Sequence, residues 1–380
     1  LTRIAILKQS FRTKGGLEKQ MKALLESFVK AEVEVDLLVQ GPCALDLGHL
    51  PKVKVKTLSN KRFGSWWSLR SFDRALKTYL KHEKYDAVLG LERHSFQSHY
   101  RAGSGVHRFF LNERMKGAGF FKRLSLQLNP FHRKVLSLEA ATFGDSGAAI
   151  IYTNSHMVAQ QIHELYTTSW QRLHVIHNGV DWQKYAGPFE QIPFSRVPIC
   201  QALNLDPNKR YLGFIGHGFE RKGLDLVLQW LSQSQTEFHL LVVGKDKNKA
   251  RFQTLSHQLA IATRVHFLGT LESTASVMGI MERLILPTRY DPFANVVIEA
   301  LAMGLDVWTS TLNGACEILP AGSVFNLDQP QSWIKALESQ WLNAPNSYEH
   351  KKQRREEVAS LDLALQSERL VHHLLASIKK

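Results

Sequence analysis

One order of segments occurs twice in this chain: an apolar run, a glycine-bearing loop, a stretch of helix-period apolar residues, and a second apolar run. The first copy starts with "RIAILKQ", residues 3–9, passes a loop ending in Gly15-Gly16 and apolar positions at helical spacing from Leu17 to Phe28, and closes with Val33 to Val39. The second is "YLGFIGHGFERKGLDLVLQWLSQSQTEFHLLVVGKD", with strands expected at 211–215 and 238–243 and a helix from about Gly223. Strands that alternate with helices favour parallel sheets. Two such openings favour an α/β protein of two doubly wound, Rossmann-like domains facing across a cleft, with ligands at the carboxyl ends of the strands. The expected boundary is "VIHNGVDWQKY", residues 175–185, where Asn178-Gly179 gives a turn after an apolar run. That divides the chain into 1–176 and 177–380, with the last helix packing back on the first domain.

The chain has 380 residues, 44% of them hydrophobic, so a large core is within reach and the length prior favours two domains. It contains neither a spanning run of about 18 apolar residues nor a stretch of signal-peptide type, and the cytoplasm is the expected compartment. It begins at Leu1, which leaves a processed, trimmed or differently decoded start open. Cys43, Cys200 and Cys316 follow no metal-site or disulfide spacing and read as ordinary buried or partly buried thiols. The formal charge of +14 points to an anionic partner: nucleic acid, a phosphate-bearing ligand or an acidic membrane surface. The run "EHKKQRREE", residues 349–357, reads as a solvated helix face.

Two stretches carry chemistry. In "GFIGHGFERKGLD" the glycines let the backbone approach a ligand after a strand, and the following helix aims free N–H groups at the same spot, which favours a phosphate. Arg221 and Lys222 add two cations, the compensation a diphosphate leaving group needs where no metal supplies it. No Asp-x-Asp pair is present to carry a divalent ion. The nicotinamide fingerprint is excluded, because Arg221 and Lys222 follow Gly216-x-Gly218 where that motif expects its third glycine. A glycine turn with two solvated cations is the alternative. In "YDPFANVVIEA", residues 290–300, Pro292 suits the first position of a helix starting around 292–294. The amides of Phe293, Ala294 and Asn295 would then bind anionic or hydroxyl oxygens, Asp291 would offer its carboxylate to sugar hydroxyls, and Glu299 would accept from a ribose diol. Each acid taken alone also reads as a cap or an exposed helix residue.

With "KGGLEKQ", "HNGVD", "GHGFERKG", "VVGKD" and "PTRYDPFANVVIEALAMG", the chain resembles the retaining glycosyltransferases of family 4, which have the GT-B fold. The resemblance runs over most of its length. The wording, with "RAGSGVHRFFLNER" at 101–114, is most similar to the bacterial lipopolysaccharide core glucosyltransferase type. That implies transfer of a hexose, usually glucose from UDP-glucose, to a lipopolysaccharide core or related glycolipid acceptor with retention of configuration and without a metal. The resemblance puts the family's Glu-x7-Glu signature on Asp291 and Glu299, its diphosphate pair on Arg221 and Lys222, and its phosphate- and sugar-covering loop on Gly15 and Gly16. His107 resembles the cleft histidine that contacts the donor sugar. Many relatives carry an acid where this chain has Ser104, a departure that bears on acceptor choice and rate. In this family the departing diphosphate is often held to act as base for same-face attack, with the protein supplying positioning, cations and domain closure.

Two other classes account for part of the sequence. A nucleic-acid-binding protein would explain the charge, but no base-readout motif is present; a glycosyltransferase-like module that binds nucleotide or glycan without turnover is the second. Residues 107–138 add one more expectation. There Arg108, Arg114, Lys116, Lys122, Arg123, Arg133 and Lys134 are interleaved with Phe109, Phe110, Phe120, Phe121 and Phe131. Aromatics beside cations suit an anionic bilayer interface, and the expected location is the inner face of the cytoplasmic membrane, with Phe120, Phe121, Lys122 and Arg123 at the tip. Phenylalanines in the core under a solvated basic face are the alternative.

Overall fold

A computed structural model describes residues 2–9, 16–41, 43, 47–48, 50–59, 64–235, 238–343 and 347–379. The chain forms two compact units, one of residues 1–179 with 363–380 and the other of 180–362. The cut thus lies between Gly179 and Val180, and the last helix is counted with the first unit.

The first unit is built on seven strands: β1 (Arg3–Lys8), β2 (Glu34–Val39), β3 (Val53–Thr57), β4 (Ala87–Gly90), β5 (His99–Arg101), β6 (Ile150–Thr153) and β7 (Leu173–Val175). They lie in the order β3-β2-β1-β4-β5-β6-β7, every pairing parallel, with Ile4 opposite Val35 and Ala87. The unbroken apolar run of β1 has a direct cause, since a central parallel strand is covered on both faces. Ile4 and Ile6 pack with Leu25 and Phe28 of the helix Gly16–Lys30 and with Leu370 and Leu374 of the helix Leu363–Ile378. Ala5 and Leu7, on the opposite face, pack with Phe72 and Leu76 of the helix Ser65–Leu80.

The second unit carries β8 (Tyr211–Ile215), β9 (His239–Val243), β10 (Val265–Gly269), β11 (Arg283–Leu286), β12 (Asp306–Ser310) and β13 (Val324–Phe325). These are ordered β10-β9-β8-β11-β12-β13 and are again all parallel. The helix expected from Gly223 is preceded by a short turn, Phe219–Lys222, and resumes at Leu224. Gly223 separates the two at φ +83°, and a Cβ there would lie 2.1 Å from the Pro287 carbonyl oxygen, so only glycine fits.

The basic run at 349–357 departs from the expectation of a solvated face. It forms the helix Tyr348–Glu357, in which Lys351 and Arg355 are buried. The reason lies in the end of the helix Asn295–Ala302, whose last carbonyls have no donor of their own. Arg355 donates to Ala302 O and Arg354 donates to Gly304 O at 2.9 Å, and the Arg355 guanidinium lies 4.2 Å from the Trp182 ring. Burial lowers Lys351 to about 8, with Arg354 adding to the effect. Cys200 is buried, Cys43 and Cys316 are half-buried, and all three are free thiols.

Candidate functional site

In the second unit, β8 leads into Gly216-His217-Gly218. The loop is close to its neighbours: a Cβ on Gly244 would sit 2.0 Å from Gly216 O, and Gly218 takes φ +74°. The Phe219 amide donates to Asp246 Oδ2 at 2.7 Å, which fixes the start of the short helix. That helix carries Arg221 and Lys222, which meet the chain that follows β11, the strand beside β8. Lys222 Nζ donates to Asp291 Oδ2 at 2.6 Å and Arg221 Nη1 donates to the same oxygen at 2.9 Å, while Arg221 also donates to Tyr290 O. The Lys222 and Asp291 side chains are almost buried, whereas Arg221 keeps 40% of its exposure. Burial by itself would raise Asp291, but Lys222 and Arg221 outweigh it and hold the carboxyl below its usual range. Burial lowers Lys222, against the pull of Asp291. Two cations meet on one carboxylate, with Arg221 on the open side, and the Glu299 carboxylate also acts on Lys222.

The loop that follows corrects part of the sequence reading. The helix begins at Asn295, with Ala294 as its cap, so Pro292 lies ahead of the helix. The Phe293 amide donates to Asp291 Oδ1 at 3.2 Å, and the Ala294 amide donates to Asn313 Oδ1 at 3.1 Å. Both residues are buried, so these two amides, expected to face a ligand, are used inside the protein. Asn295 is half-buried and already engaged. Fully buried Asn313 is the cause: it also receives the Ala315 amide and donates to Thr309 Oγ1, which clamps the 291–294 loop to the turn after β12. Glu299 is half-buried on the helix; burial first, then the charge of Glu299, pushes the buried Tyr185 phenol upward. Gly15 lies outside the described residues, and Gly16 opens the helix that runs to Lys30.

In the first unit His107 starts the helix His107–Met115. No side chain of the cap residue, Val106, closes this helix. Glu139, fully buried on the helix Pro130–Phe143, does so from outside: its Oε1 accepts from the His107 amide at 2.6 Å and its Oε2 from the Arg108 amide at 2.9 Å and Tyr166 Oη at 2.7 Å. A carboxylate at a helix start meets both the free amides and the positive end of the dipole. Arg93 Nε lies 2.8 Å from the same carboxylate, and the Arg93 guanidinium holds the Ser104–Gly105 turn, donating to Ser104 Oγ at 3.1 Å and to Gly105 O. His107 Nε2 is 3.0 Å from His132 Nδ1. Burial, then Arg93, lowers His107 to about 4, so it is neutral at pH 7.

The phenylalanines of 107–138 divide. Phe109, Phe110 and Phe131 are half-buried, Phe109 against the core. Phe120 and Phe121 stand 73% and 84% exposed at the start of the helix Phe120–Leu128, with Leu124 and Leu128 exposed along the same helix. Lys122 and Arg123 are exposed beside them. Among the described residues no helix is long and apolar enough to cross a membrane, and no group of three or more His, Cys, Asp or Glu is placed to hold a metal ion.

Residues 14–184 match the family model described as Glycosyltransferase Family 4, and residues 198–358 match that of Glycosyl transferases group 1. The chain belongs to these glycosyltransferases. Lipopolysaccharide glucosyltransferase WaaG of Escherichia coli strain K12 is 25% identical over 313 residues, 79% of this chain and 78% of WaaG. The crystal structure of WaaG superposes with a TM-score of 0.76 at 19% identity, covering 97% of this chain and 98% of that one. HepE of Anabaena, solved with UDP and glucose, gives 0.71 at 17% identity over 99% and 100%. The fold is therefore GT-B, and the enzyme is a nucleotide-sugar-dependent glycosyltransferase.

Sequence reasoning missed three residues that organise this glycosyltransferase: Glu139, Asn313 and Arg93. Each is a polar side chain distant in sequence from the group it positions. Glu139 carried one signal, an acid amid the apolar positions of "VLSLEAATF"; Asn313 and Arg93 carried none.

Proposed function

We propose that this glycosyltransferase moves a hexose, glucose in the first instance, from a UDP-sugar to a lipopolysaccharide core or related glycolipid acceptor, with retention and without a metal. The observation that carries the reading is the Arg221–Lys222–Asp291 arrangement: two cations fixed on one carboxylate, with the partly exposed Arg221 guanidinium available to a departing diphosphate. In the proposed step the acceptor hydroxyl oxygen bonds to the anomeric carbon on the face from which the diphosphate leaves. The C–O bond to phosphate breaks, and the hydroxyl proton passes to a departing phosphate oxygen. Arg221 and Lys222 meet the charge that grows on the diphosphate. Neutral His107 is suited to hydrogen-bond a sugar hydroxyl rather than to deliver a charge. Glu299 is assigned to the ribose, Asp291 to holding the cations and to a sugar hydroxyl, and Gly15 and Gly16 to covering the donor. UDP as the nucleotide draws support from HepE, solved with UDP and with UDP-glucose, and the acceptor class from WaaG.

The acceptor's lipid anchor brings in the second element of the proposal. Exposed Phe120, Phe121, Leu124 and Leu128 beside Lys122 and Arg123 suit reversible attachment to the anionic inner face of the cytoplasmic membrane. One experiment tests both parts: transfer from UDP- and GDP-sugars in the presence of chelator, to a lipopolysaccharide precursor in anionic vesicles and to its deacylated, lipid-free form. UDP-glucose should support both reactions. Lys122→Glu with Arg123→Glu should slow only the vesicle reaction, most at low salt, with the gap to the parent narrowing as salt rises. Absence of transfer from every UDP-sugar, or recovery only on adding a divalent ion, would overturn the donor reading; equal vesicle rates in parent and variant would overturn the membrane part.

A further inference from the structure

A face of the first unit, outside the donor-binding groups, has the chemistry of a carbohydrate site. The helix Ser65–Leu80 presents Trp67, Arg70, Arg74 and Lys77 to solvent at intervals of three, four and three residues, which is one stripe of a helix. Trp67 is 60% exposed, an unusual state for the largest apolar side chain, and its ring meets Trp66 edge-on at 4.5 Å between centroids. The Arg70 guanidinium lies 5.6 Å from the Trp66 ring centroid, so the aromatic pair and the nearest cation form one assembly. Asp73 is the sole acid in this helix and is turned inward: it accepts from the Ser95 amide and hydroxyl, both at 3.0 Å, and lies 3.6 Å from Lys134. The outward stripe therefore offers an aromatic surface and three cations with no acid of its own helix among them.

Its position separates it from an ordinary solvated face. Buried Gln40, directly after β2, donates to Ser68 O at 3.0 Å and to Ser71 Oγ at 2.9 Å, and Gln9, directly after β1, donates to Ser68 Oγ at 2.8 Å. These bonds pin the first turns of the helix to the carboxyl ends of the two strands, the edge at which doubly wound sheets receive ligands.

We propose that the Trp67–Arg70–Arg74 face binds an acceptor saccharide that carries phosphate or another anionic substituent, Trp67 lying against the apolar face of a pyranose ring and the arginines pairing with the anion. A planar guanidinium pairs bidentately with phosphate, and an exposed indole offers a rigid apolar plate to a ring that would otherwise be bound through hydroxyls alone. The assignment deepens the glycolipid-acceptor reading above and rests on it for the identity of the sugar. A lipid surface is the competing occupant for exposed tryptophan beside arginine. The attachment of the helix to the sheet's ligand-binding edge, with its single acid withdrawn, favours the saccharide.

The test uses the full chain and a deacylated, phosphorylated core oligosaccharide released from lipopolysaccharide, with a dephosphorylated portion of the same material. Trp67→Ala should raise the acceptor KM, and the calorimetric Kd for the oligosaccharide, about tenfold or more, with UDP-glucose hydrolysis in the absence of acceptor unchanged. Arg70→Gln with Arg74→Gln should erase the parent's preference for the phosphorylated form while leaving binding of the dephosphorylated form as it was. The binding arm needs no turnover, so a parent that binds the oligosaccharide but transfers nothing would count against the proposed function alone. A parent that does not bind it, or a Trp67→Ala variant with unaltered Kd and KM, would overturn the saccharide face. So would loss of vesicle binding in Trp67→Ala with lipid-free acceptor kinetics intact, since the face would then be a membrane contact.

Discussion

Each unit uses a buried carboxylate to set up a candidate binding group, but with opposite charge balance. In the second unit Asp291 gathers two cations, Arg221 and Lys222, on one oxygen and is outnumbered by them. In the first, Glu139 meets one cation, Arg93, and divides its oxygens among two backbone amides and a phenol. The first arrangement keeps a partly exposed guanidinium beside the carboxylate. In the second, burial beside Arg93 keeps His107 uncharged. One device thus yields a cationic group in one unit and a neutral polar one in the other.

The largest effect should come from removing the two cations. Replacing Arg221 and Lys222 together by alanine strips the site of them and leaves the buried Asp291 carboxylate with the Phe293 amide but no countercharge. Loss of one preorganised donor elsewhere costs roughly 3 to 4 kcal/mol in the transition state, so a fall in kcat/KM of at least about a thousandfold is expected. UDP affinity, read by calorimetry, should fall with it. Lys222→Arg alone should also lose activity: the lysine side chain is only 8% exposed, so a bulkier guanidinium would crowd its buried neighbours. A double variant within tenfold of the parent would show that the cations are not used.

A smaller effect, confined to the first unit, should follow Glu139→Gln. The amide keeps one acceptor oxygen but presents an N–H₂ to donors and leaves Arg93 beside an uncharged group, a change that in buried pairs costs on the order of 3 kcal/mol. Thermal stability should drop and turnover should fall as the His107 turn loosens, while UDP affinity, set in the second unit, stays at the parent value. Equal losses of UDP affinity and turnover would erase the distinction between the two sites. Glu139→Asp should do less, since it keeps the charge and shortens only the reach.

The fold was legible because its signal is local. β1, β8 and β9 are fixed by short apolar runs between turn residues, and the structure agrees with the sequence at 211–215 and within a residue at the starts of β2 and β9. The pairing of Arg221 and Lys222 with Asp291 was only half legible. The residue types and the helix signals stood in the sequence, but the contact joins positions separated by three strands, β9 to β11, and the helices between them. The amides of Phe293 and Ala294 were misread for the same reason: a proline and an N-terminal helix pattern say where free donors arise, not whether a distant Asn313 has already taken them. Lys351 and Arg355 failed differently. A run of like charge is normally solvated, and here two of its members enter the core: Arg355 meets Ala302 O at the end of the helix Asn295–Ala302, and Lys351 donates to Met281 O at 3.4 Å.

The smallest effect concerns acid, and it sharpens the comparison by separating the two units on a pH axis. Burial, then His373, lowers His99 to about 4, burial lowers His174 with His373 adding, and His107 lies at about 4, all in the first unit. His99 Nε2 is 2.9 Å from Ser377 Oγ, and His373 Nδ1 is 3.1 Å from Tyr152 Oη, so these rings tie the helix Leu363–Ile378 to β5 and β6. A histidine whose folded pKa lies below 6.5 takes up its proton first in the unfolded chain. The stability it contributes is therefore complete above pH 6.5 and declines as pH falls from there towards 4. For His99 the loss at pH 5 relative to pH 7 is about 2 kcal/mol. In the second unit Asp291 works in a lower window: its depressed pKa gives stability that is present above the ordinary carboxyl range and is lost only as pH falls beneath it. His266, lowered by burial and then by His239, is a counterpart in the second unit. Hydrogen exchange read by mass spectrometry at pH 7 and pH 5, corrected for intrinsic rates, should show protection falling in the helix Leu363–Ile378 and β5 before it falls in β8 and β11. His99→Gln should flatten that difference. Equal loss of protection in both units between pH 7 and pH 5, or a difference unaltered in His99→Gln, would mean that the buried histidines do not set the acid response.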